Sequence, residues 1–341
     1  MSRVLIVHRA GPGVSVQDMG RPGFLAFGLS RGGAADRLAL DEGAALLAQD
    51  PGVAALEMAG MGGEFEAGED LRIALTGAPM RAGIDGVRIA WNASHPLPAG
   101  ARLSIGAAEA GSYGYLHLGG GLQGPKWLGA QSAHLAAGIG AALQPGDRVP
   151  VGPDPGGATG MTLDPDPRLD GGTIRIVPSL QTGFFAADEI ARFEATTFHR
   201  DTRGNRMGVR LLPEGPGFAS AAGLSVLSEV IVPGDVQIIG DGIPFVLLSE
   251  CQTTGGYPRI GSVLPADLPR VAQARPGAAL RFSFVSLGEA VEIERGAAAR
   301  RTGLRRKVRP LIRDPHHLAD LLSHQLISGM TAGDEFERND R

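Results

Sequence analysis

One short polar stretch, QTTGGYP at residues 252–258, combines side chains that can hold a reacting group. It contains an amide, two hydroxyls, two glycines and a phenol, at Gln252, Thr253, Thr254, Gly255, Gly256 and Tyr257. The glycines let the backbone pass close to a neighbour and permit positive φ, and exposed N–H groups in such a turn can hold an oxyanion or a phosphate. The alternative is a demanding turn whose hydroxyls satisfy themselves. Because the stretch follows the apolar run IPFVLL, we interpret it as a site on a rigid scaffold.

Two glycine-flanked loops carry arginines that could bind an anion. In VQDMGRPG (16–23), Gln17 and Asp18 precede Arg21, whose guanidinium can clamp a carboxylate or phosphate through two parallel hydrogen bonds. An Asp18–Arg21 pair that braces the loop is the equal alternative. In GNRMGVRL (204–211), Arg206 is either structural or a second clamp. We expect Arg206→Ala combined with Thr254→Ala to abolish turnover and leave folding intact.

Polar residues also interrupt the apolar strands that precede the QTTGGYP stretch. Glu229 and Gln237 stand at strand positions between apolar neighbours, so at least one should be half-buried with a partner. Asp241 and Gly242 predict a hairpin turn. Asp36 is placed to cap a helix that Pro51 and Gly52 end.

Short alternating runs predict a β-rich fold that positions these loops. Strand-like segments such as RVLIVHRA, ALEMA and LRIALTGAP are separated by turns about every 8–12 residues, a spacing that favours a sandwich or barrel. Residues 156–172 are rich in Pro, Gly and Asp and predict an interdomain linker. We therefore expect a first β-domain at 1–155, a second at 173–290, and a basic linker with a C-terminal helix at 291–341. A Pro-Gly turn before the last strand of each half suggests two related barrels.

Composition excludes several classes of protein. The 341 residues carry a formal net charge of −4 and a single cysteine, Cys251, so they give no case for nucleic-acid binding and allow no internal disulfide. No apolar stretch is long enough for a membrane helix, and we expect a cytoplasmic protein. Lys126 and Lys307, the only lysines, follow neither a phosphate-binding glycine loop nor a biotin-attachment pattern. We predict no metal: there is no HExxH or paired CxxC, and His316, His317 and His324 are interpreted as surface histidines.

The order of the motifs resembles one known family. VQDMGRPG, GGAAD, LTGAP, NRMGVRL, LSEVIVPGDVQIIGDGIP, QTTGGYP and ADLPRVAQARPG occur as in the biotin-dependent carboxyltransferase family, also called allophanate hydrolase subunit 2 or KipA-like. Its free-standing bacterial members include the C-type subunit of 5-oxoprolinase, and its fused relatives form part of urea carboxylase. The resemblance spans residues 4 to 287 and implies two tandem cyclophilin-like β-barrels with a few short helices.

The resemblance also implies a function and a set of site residues. The first hypothesis is a subunit of an ATP-dependent 5-oxoprolinase that opens 5-oxoproline to glutamate, acting with two further subunits, a KipI-like one of type B and one of type A, which share the ATP. The second is a carboxyltransferase acting on a small amide with biotin carried on another chain, and the third is a non-catalytic regulatory binding module. The predicted catalytic residues are Gln252, Thr253, Thr254, Tyr257, Arg206 and Glu229. The predicted substrate- or anion-binding residues are Gln17, Asp18, Arg21, Asp36, Gln237, Gly255 and Gly256.

Overall fold

The computed structural model describes residues 3–312, and β-strands make up most of it. The strands are β1 Val4–Ala10, β2 Ser15–Gln17, β3 Ala55–Ala59, β4 Gly63–Ala67, β5 Leu71–Gly77, β6 Met80–Ile84, β7 Val87–Arg88, β8 Ala93–Leu97, β9 Arg102–Ala108, β10 Tyr113–Leu118, β11 Arg148–Pro150, β12 Met161–Thr162, β13 Gly172–Val177, β14 Phe198–Asn205, β15 Gly208–Pro213, β16 Glu229–Val230, β17 Asp235–Ile238, β18 Pro244–Leu247, β19 Thr254–Gly255, β20 Arg259–Val263, β21 Ala279–Phe284 and β22 Arg309–Pro310. The α-helices are α1 Arg37–Leu47, α2 Ala187–Ala195, α3 Leu268–Gln273 and α4 Leu287–Thr302. The mainly-β prediction is confirmed, whereas the predicted C-terminal helix, at 314–330, lies outside the described residues.

The N-terminal unit consists of two sheets that enclose one core. A six-stranded sheet has the order β11-β1-β4-β9-β6-β7, and a seven-stranded sheet has the order β2-β3-β10-β5-β8-β12-β22. Leu5 and Phe65 from the first sheet pack in the same cluster as Leu75 and Leu116 from the second. We predicted a cyclophilin-like β-barrel here. The edge strands are only two or three residues long, so no continuous ladder joins the two sheets.

The second unit is a closed barrel of seven strands, in the order β13-β20-β17-β18-β15-β14-β21. Aromatic rings fill part of its interior: Phe193 of α2 lies 5.1 Å from Phe198 and 4.9 Å from Phe282, measured between ring centroids. The predicted Asp241–Gly242 hairpin joins β17 to β18, with Gly242 at φ 76°. Antiparallel pairing of β16 with β19 places the QTTGGYP stretch outside the barrel ladder.

Helix α1 connects the cores of the two units. Asp36 is its N-cap and accepts a hydrogen bond from the Ala39 N–H at 3.3 Å, so the capping prediction is confirmed. Ala39 and Leu40 belong to the same apolar cluster as barrel residues such as Val236 and Phe282. The two units therefore share buried apolar surface instead of being joined only by chain connectivity.

The segment predicted as an interdomain linker is partly packed against both units. Within 156–172, β12 pairs with β8 and β22, and Leu163 is buried. Arg168 is also buried, with its guanidinium bonded to Asp36 and Glu42 of the α1 region. Its low apolar content thus reflects polar groups that form buried ion pairs, a feature that composition does not distinguish from solvation.

The basic segment 294–310 is also more ordered than the linker we predicted. The first part of this segment, up to Thr302, belongs to α4. That helix begins with a capping box between Ser286 and Glu289. Beyond it, β22 joins the sheet of the N-terminal unit. The alanines, glutamates and arginines of this segment are strong helix formers, which explains why its charge does not prevent regular structure.

Candidate functional site

Arg206 lies at the contact between the two units and is fully engaged by protein acceptors. Its Nε donates to Glu250 at 2.6 Å, its Nη1 to Glu57 of β3, and its Nη2 to the Gly33 carbonyl at 2.5 Å. Only 8% of the residue is exposed. Each of the three guanidinium nitrogens has a protein acceptor, so the contacts of Arg206 give it a bracing role instead of the anion-clamp or catalytic role that we predicted.

The charges around Arg206 compensate one another. Burial lowers the pKa of the Arg206 guanidinium, but the carboxylates of Glu57 and Glu250 more than offset this, so the pKa is raised above its ordinary value. Burial raises the pKa of Glu250, but the charge and hydrogen bond of Arg206, together with the Ala136 N–H, outweigh burial, so the pKa of Glu250 is lowered. Glu57 also accepts hydrogen bonds from the Ala35 N–H at 2.8 Å and the Tyr115 hydroxyl at 2.6 Å. The cluster is a satisfied buried network, which fixes the backbone on both sides of it.

Arg21 lies beside this network and keeps one nitrogen without a partner. Its Nε donates to the Trp127 carbonyl at 3.3 Å and its Nη2 to the Ser132 carbonyl and hydroxyl, whereas Nη1 is buried and has no acceptor among residues 3–312. The residue is 1% exposed, and burial lowers its pKa. A buried guanidinium nitrogen without an acceptor is costly unless something else accepts from it, so Arg21 remains the best-placed anion clamp of the predicted set.

The other predicted residues of the first loop have structural contacts. Asp18 accepts from the Gly20 N–H at 2.8 Å and the Gln131 N–H at 2.7 Å, and forms no ion pair with Arg21. Asp18 therefore braces the loop through backbone groups instead of the side-chain pair we considered. Gln17 is buried and donates to Ser15 and to the Ala133 carbonyl, while its Oε1 has no partner in the described chain.

The QTTGGYP stretch is exposed next to the buried network. It begins two residues after Glu250, whose carboxylate holds the Ala136 N–H at 3.0 Å. The side chains of Gln252 and Thr254 are exposed, Thr253 is half-buried, and Tyr257 is 43% exposed. Neither glycine has positive φ, but a Cβ on Gly255 would lie 2.6 Å from Nε2 of Gln237. The prediction that a glycine lets the backbone pass close to a neighbour thus holds at Gly255. The prediction of positive φ is wrong for both glycines.

A second polar cluster, formed by Glu229, Arg259, Gln181 and Gln237, lies next to this stretch. Glu229 accepts from Nη2 of Arg259 at 2.5 Å and from Gln181 at 2.9 Å, so it is paired, although its side chain is 44% exposed. Gln237 is buried, and its Nε2 has no acceptor in the part of the chain that the structure describes. Of the two strand residues, Gln237 is therefore the buried one and Glu229 the one with partners. Glu229 pairs with Gly255 in the β16–β19 ladder, and the Gln237 side chain lies close to the backbone of Gly255.

Asp36 lies in a buried contact of α1 with Arg168 and with α3. It is fully buried, and its Oδ2 accepts from Arg168 at 2.7 Å and from Gln273 at 2.8 Å. Gln273 belongs to α3, so these bonds tie α1 to the second unit. We predicted anion binding by Asp36, but the structure gives it a helix cap and an ion pair.

The chemistry available at this face is binding and polarisation. The thiol of Cys251 is buried, which raises its pKa to about 12, so it is not an activated nucleophile. His134 bonds to Ser30 at 2.9 Å, and burial lowers its pKa despite the nearby Glu250. The free Arg21 nitrogen and the hydroxyls of the QTTGGYP stretch are donors suited to an anion or a developing oxyanion.

Sequence reasoning missed the partners that hold the site. Glu57 stands in the strand run ALEMA, Arg259 begins β20, and Arg168 stands in the segment predicted as a linker. A carboxylate between apolar strand residues is the one signal that pointed to Glu57, because a buried acid needs a partner. Among residues 3–312 there is no group of three or more His, Cys, Asp or Glu side chains that could hold a metal, and no helix there could span a membrane.

Known proteins with related sequences cover most of this chain. It is 35% identical to the C-type subunit of 5-oxoprolinase from Escherichia coli over 85% of this chain and 94% of that protein. It is 33% identical to the C-type subunit of 5-oxoprolinase from Haemophilus influenzae over 82% of this chain and 91% of that protein.

Solved structures with the same fold are longer than this chain. The crystal structure of TTHA0988 superposes with a TM-score of 0.75 and 31% identity over 83% of this chain, but this chain spans only 56% of that protein. The crystal structure of the K. lactis urea amidolyase gives a TM-score of 0.79 at 23% identity over 92% of this chain and 21% of that one, which shows the shared fold alone.

The family assignment rests on the region that contains the site. Residues 27–284 match the family described as carboxyltransferase domain, subdomain A and B, and this range includes Glu57, Arg206 and the whole QTTGGYP stretch. The match covers more than half of the chain, so this protein belongs to the carboxyltransferase domain subdomain A and B family.

Proposed function

We propose that this chain is the C-type subunit of a 5-oxoprolinase complex that hydrolyses 5-oxoproline to glutamate. The observation that carries the proposal is the identity of 33–35% to two 5-oxoprolinase subunits of this type over more than nine-tenths of their length. The partners are a KipI-like subunit of type B, together with one of type A. Residues 3–312 offer polar donors but no activated nucleophile, which suits a share in a site that other chains complete.

Ring opening of 5-oxoproline needs groups that bind anions and stabilise an oxyanion. The substrate carries a carboxylate, and its amide oxygen becomes negative when water attacks the carbonyl carbon. Nη1 of Arg21, which is buried and has no acceptor among residues 3–312, is the donor that we assign to such a carboxylate or to a phosphate. Thr253 and Thr254 offer hydroxyls for the amide oxygen, with Tyr257 at the rim of the same stretch.

In the proposed reaction the amide oxygen takes the γ-phosphoryl group of ATP and ADP leaves. Water then opens the ring to a glutamyl phosphate, and a second water releases phosphate and glutamate. The unpartnered Arg21 nitrogen and the N–H groups of the QTTGGYP stretch fit a phosphate in their chemistry. The role of Arg206 in this scheme is positional: with Glu57 and Glu250 it holds the strand end from which the QTTGGYP stretch begins.

Exposed apolar side chains next to the QTTGGYP stretch support a contact with another protein chain there. Leu227 is 87% exposed and Val230 57%, and Val230 pairs with Thr254 in the β16–β19 ladder. Large apolar side chains that are exposed beside a polar site are typical of protein contacts. They also fit the third hypothesis, a regulatory module that binds a partner without catalysis.

The test is glutamate release from 5-oxoproline by this chain mixed with B-type and A-type 5-oxoprolinase subunits, with and without ATP. Release that requires both ATP and this chain supports the proposal. Omitting this chain is the direct control, because glutamate release by the other two subunits alone would show that the reaction does not require this chain. A complex that forms but depends on this chain only for assembly would favour the regulatory module.

A carboxyltransferase acting on a urea-like amide is the second candidate. The observation in its favour is the match of residues 27–284 to the carboxyltransferase domain, subdomain A and B family. In that reaction the same donors would hold a carboxylate leaving biotin that is carried on another chain. The same complex, supplied with biotinylated carrier, bicarbonate and urea, distinguishes the two: carboxyl transfer without glutamate release would replace the first proposal.

A further inference from the structure

A second concave region lies between the two units, apart from the exposed QTTGGYP stretch. It has a volume of about 730 Å³, within the range of small-molecule sites, and its walls come from α1, segment 163–168, the start of α3, and α4. Its lining includes eight basic and six acidic residues. Proline and leucine side chains, including Pro165, Pro265 and Leu304, form the apolar part of the wall.

The acidic residues of this cleft are already engaged. Glu42 binds Arg168, Asp267 binds Arg175, and Asp164 binds Arg309. Glu294 accepts the Ala266 N–H at 2.7 Å, while Asp41 and Asp166 lie 3.9 and 3.7 Å from Arg301 and Arg168. The carboxylates of the cleft therefore have partners other than Arg31 and Arg37.

Arg31 and Arg37 line the same cleft, and neither forms an ion pair within residues 3–312. Arg31 uses only its Nε, which donates to the Met19 carbonyl at 2.9 Å. The Arg37 side chain makes no hydrogen bond to the described chain. Its pKa is lowered to about 10, first by burial and then by the neighbouring charge of Arg31. Two guanidinium groups that share a cleft and form no ion pair with residues 3–312 oppose folding, and an anion bound by both would lower that cost.

We propose that Arg31 and Arg37 form a binding site for the phosphate or carboxylate group of a small molecule that enters this cleft. Two planar guanidinium groups provide paired donors that match the geometry of either oxyanion. The N-cap of α1 is already filled by Asp36, so the site depends on these side chains and not on free N–H groups of the helix. The apolar wall would cover the uncharged part of the ligand. This site is separate from the one proposed for 5-oxoproline.

The test is a binding measurement on the full chain, so it does not depend on turnover. Calorimetric titrations with inorganic phosphate and with glutarate, at constant ionic strength, separate the phosphate from the carboxylate. We expect saturable binding of at least one probe, and Arg37→Gln should weaken it about tenfold or more, as expected for loss of one charged contact. Arg88→Gln is the matched control. The Arg88 side chain is 75% exposed, and its Nη2 lies 4.0 Å from Oε1 of Glu109.

Two results would overturn the proposal. One is a flat titration of the wild-type chain with both probes, and the other is equal affinity in Arg37→Gln and the wild type. Should Arg37→Gln not fold, modification of wild-type arginines by phenylglyoxal decides the matter. Binding predicts that the bound probe protects Arg31 and Arg37 but not Arg88, and equal modification with and without probe contradicts it.

Discussion

The guanidinium of Arg206 on the barrel donates to the carboxylate of Glu57 in the N-terminal unit. The same guanidinium holds Glu250, two residues before the QTTGGYP stretch. A single buried cation therefore connects the two units and fixes the start of the candidate site. Rigid support of this kind is what a binding loop on a β-scaffold requires.

Replacing Arg206 should damage folding before it affects chemistry. Arg206→Ala leaves Glu57 and Glu250 buried without their cation, and we expect the free energy of unfolding to fall by about 3–5 kcal/mol. Urea denaturation followed by circular dichroism measures the change. Arg295→Ala, which removes an exposed i, i+3 pair with Glu292, should leave the transition nearly unchanged. Our sequence-based expectation that Arg206→Ala combined with Thr254→Ala leaves folding intact is thereby revised.

Two glycines within helices should respond to alanine in opposite directions. A Cβ on Gly43 would lie 2.3 Å from the His117 ring, whereas a Cβ on Gly296 meets only Nη1 of Arg300 at 3.5 Å. Gly43→Ala should therefore lower the thermal midpoint despite the better helix propensity of alanine. Gly296→Ala should raise stability by about 0.5–1 kcal/mol. Equal effects of the two substitutions would show that the His117 contact does not restrict α1.

Asp41 should make stability depend on pH in a defined direction. Burial raises the pKa of Asp41 from 3.8 to about 6, so the folded chain binds a proton more readily than the unfolded chain between these values. The Asp41 contribution to the free energy of unfolding then falls as the pH rises from 3.8 to 6. Asp41→Asn should be more stable than the wild type near neutral pH, and the difference should vanish in acid.

Denaturation of the wild type and of Asp41→Asn across this pH range gives the comparison. Asp170→Asn, at an exposed position, is the control for loss of one negative charge. A constant difference between Asp41→Asn and the wild type at every pH would count against the pKa shift, because only a titrating group changes the difference.

The QTTGGYP stretch should tolerate substitution without loss of stability. Thr254 is exposed, and Tyr257 is 43% exposed, so Thr254→Ala and Tyr257→Phe should leave the thermal midpoint nearly unchanged. If the threonine hydroxyl stabilises an oxyanion, glutamate release by the assembled complex should fall about 100-fold in Thr254→Ala. Thr173→Ala, at another exposed strand position, is the matched control. Full activity of Thr254→Ala in an intact complex would remove this residue from the site.

The sequence alone determined those features that depend on neighbours along the chain. Alternating apolar residues predicted strands such as β1, β5 and β13, and the Asp241–Gly242 pair predicted the hairpin between β17 and β18. Asp36 was recognised as a helix cap because the N–H group that its carboxylate accepts from lies only three residues further along the chain. Local patterns of this kind follow from backbone geometry, which each segment carries with it.

Only the tertiary structure decided the roles of the buried charges. Arg206 and Glu57 are 149 positions apart, and Arg168 and Asp36 are 132 apart, so no spacing in the sequence predicts either pair. Whether an arginine holds a ligand or a carboxylate depends on which acceptors the fold brings to its nitrogens. Arg21 has one nitrogen without an acceptor among residues 3–312, whereas packing of the two units supplied an acceptor to each guanidinium nitrogen of Arg206.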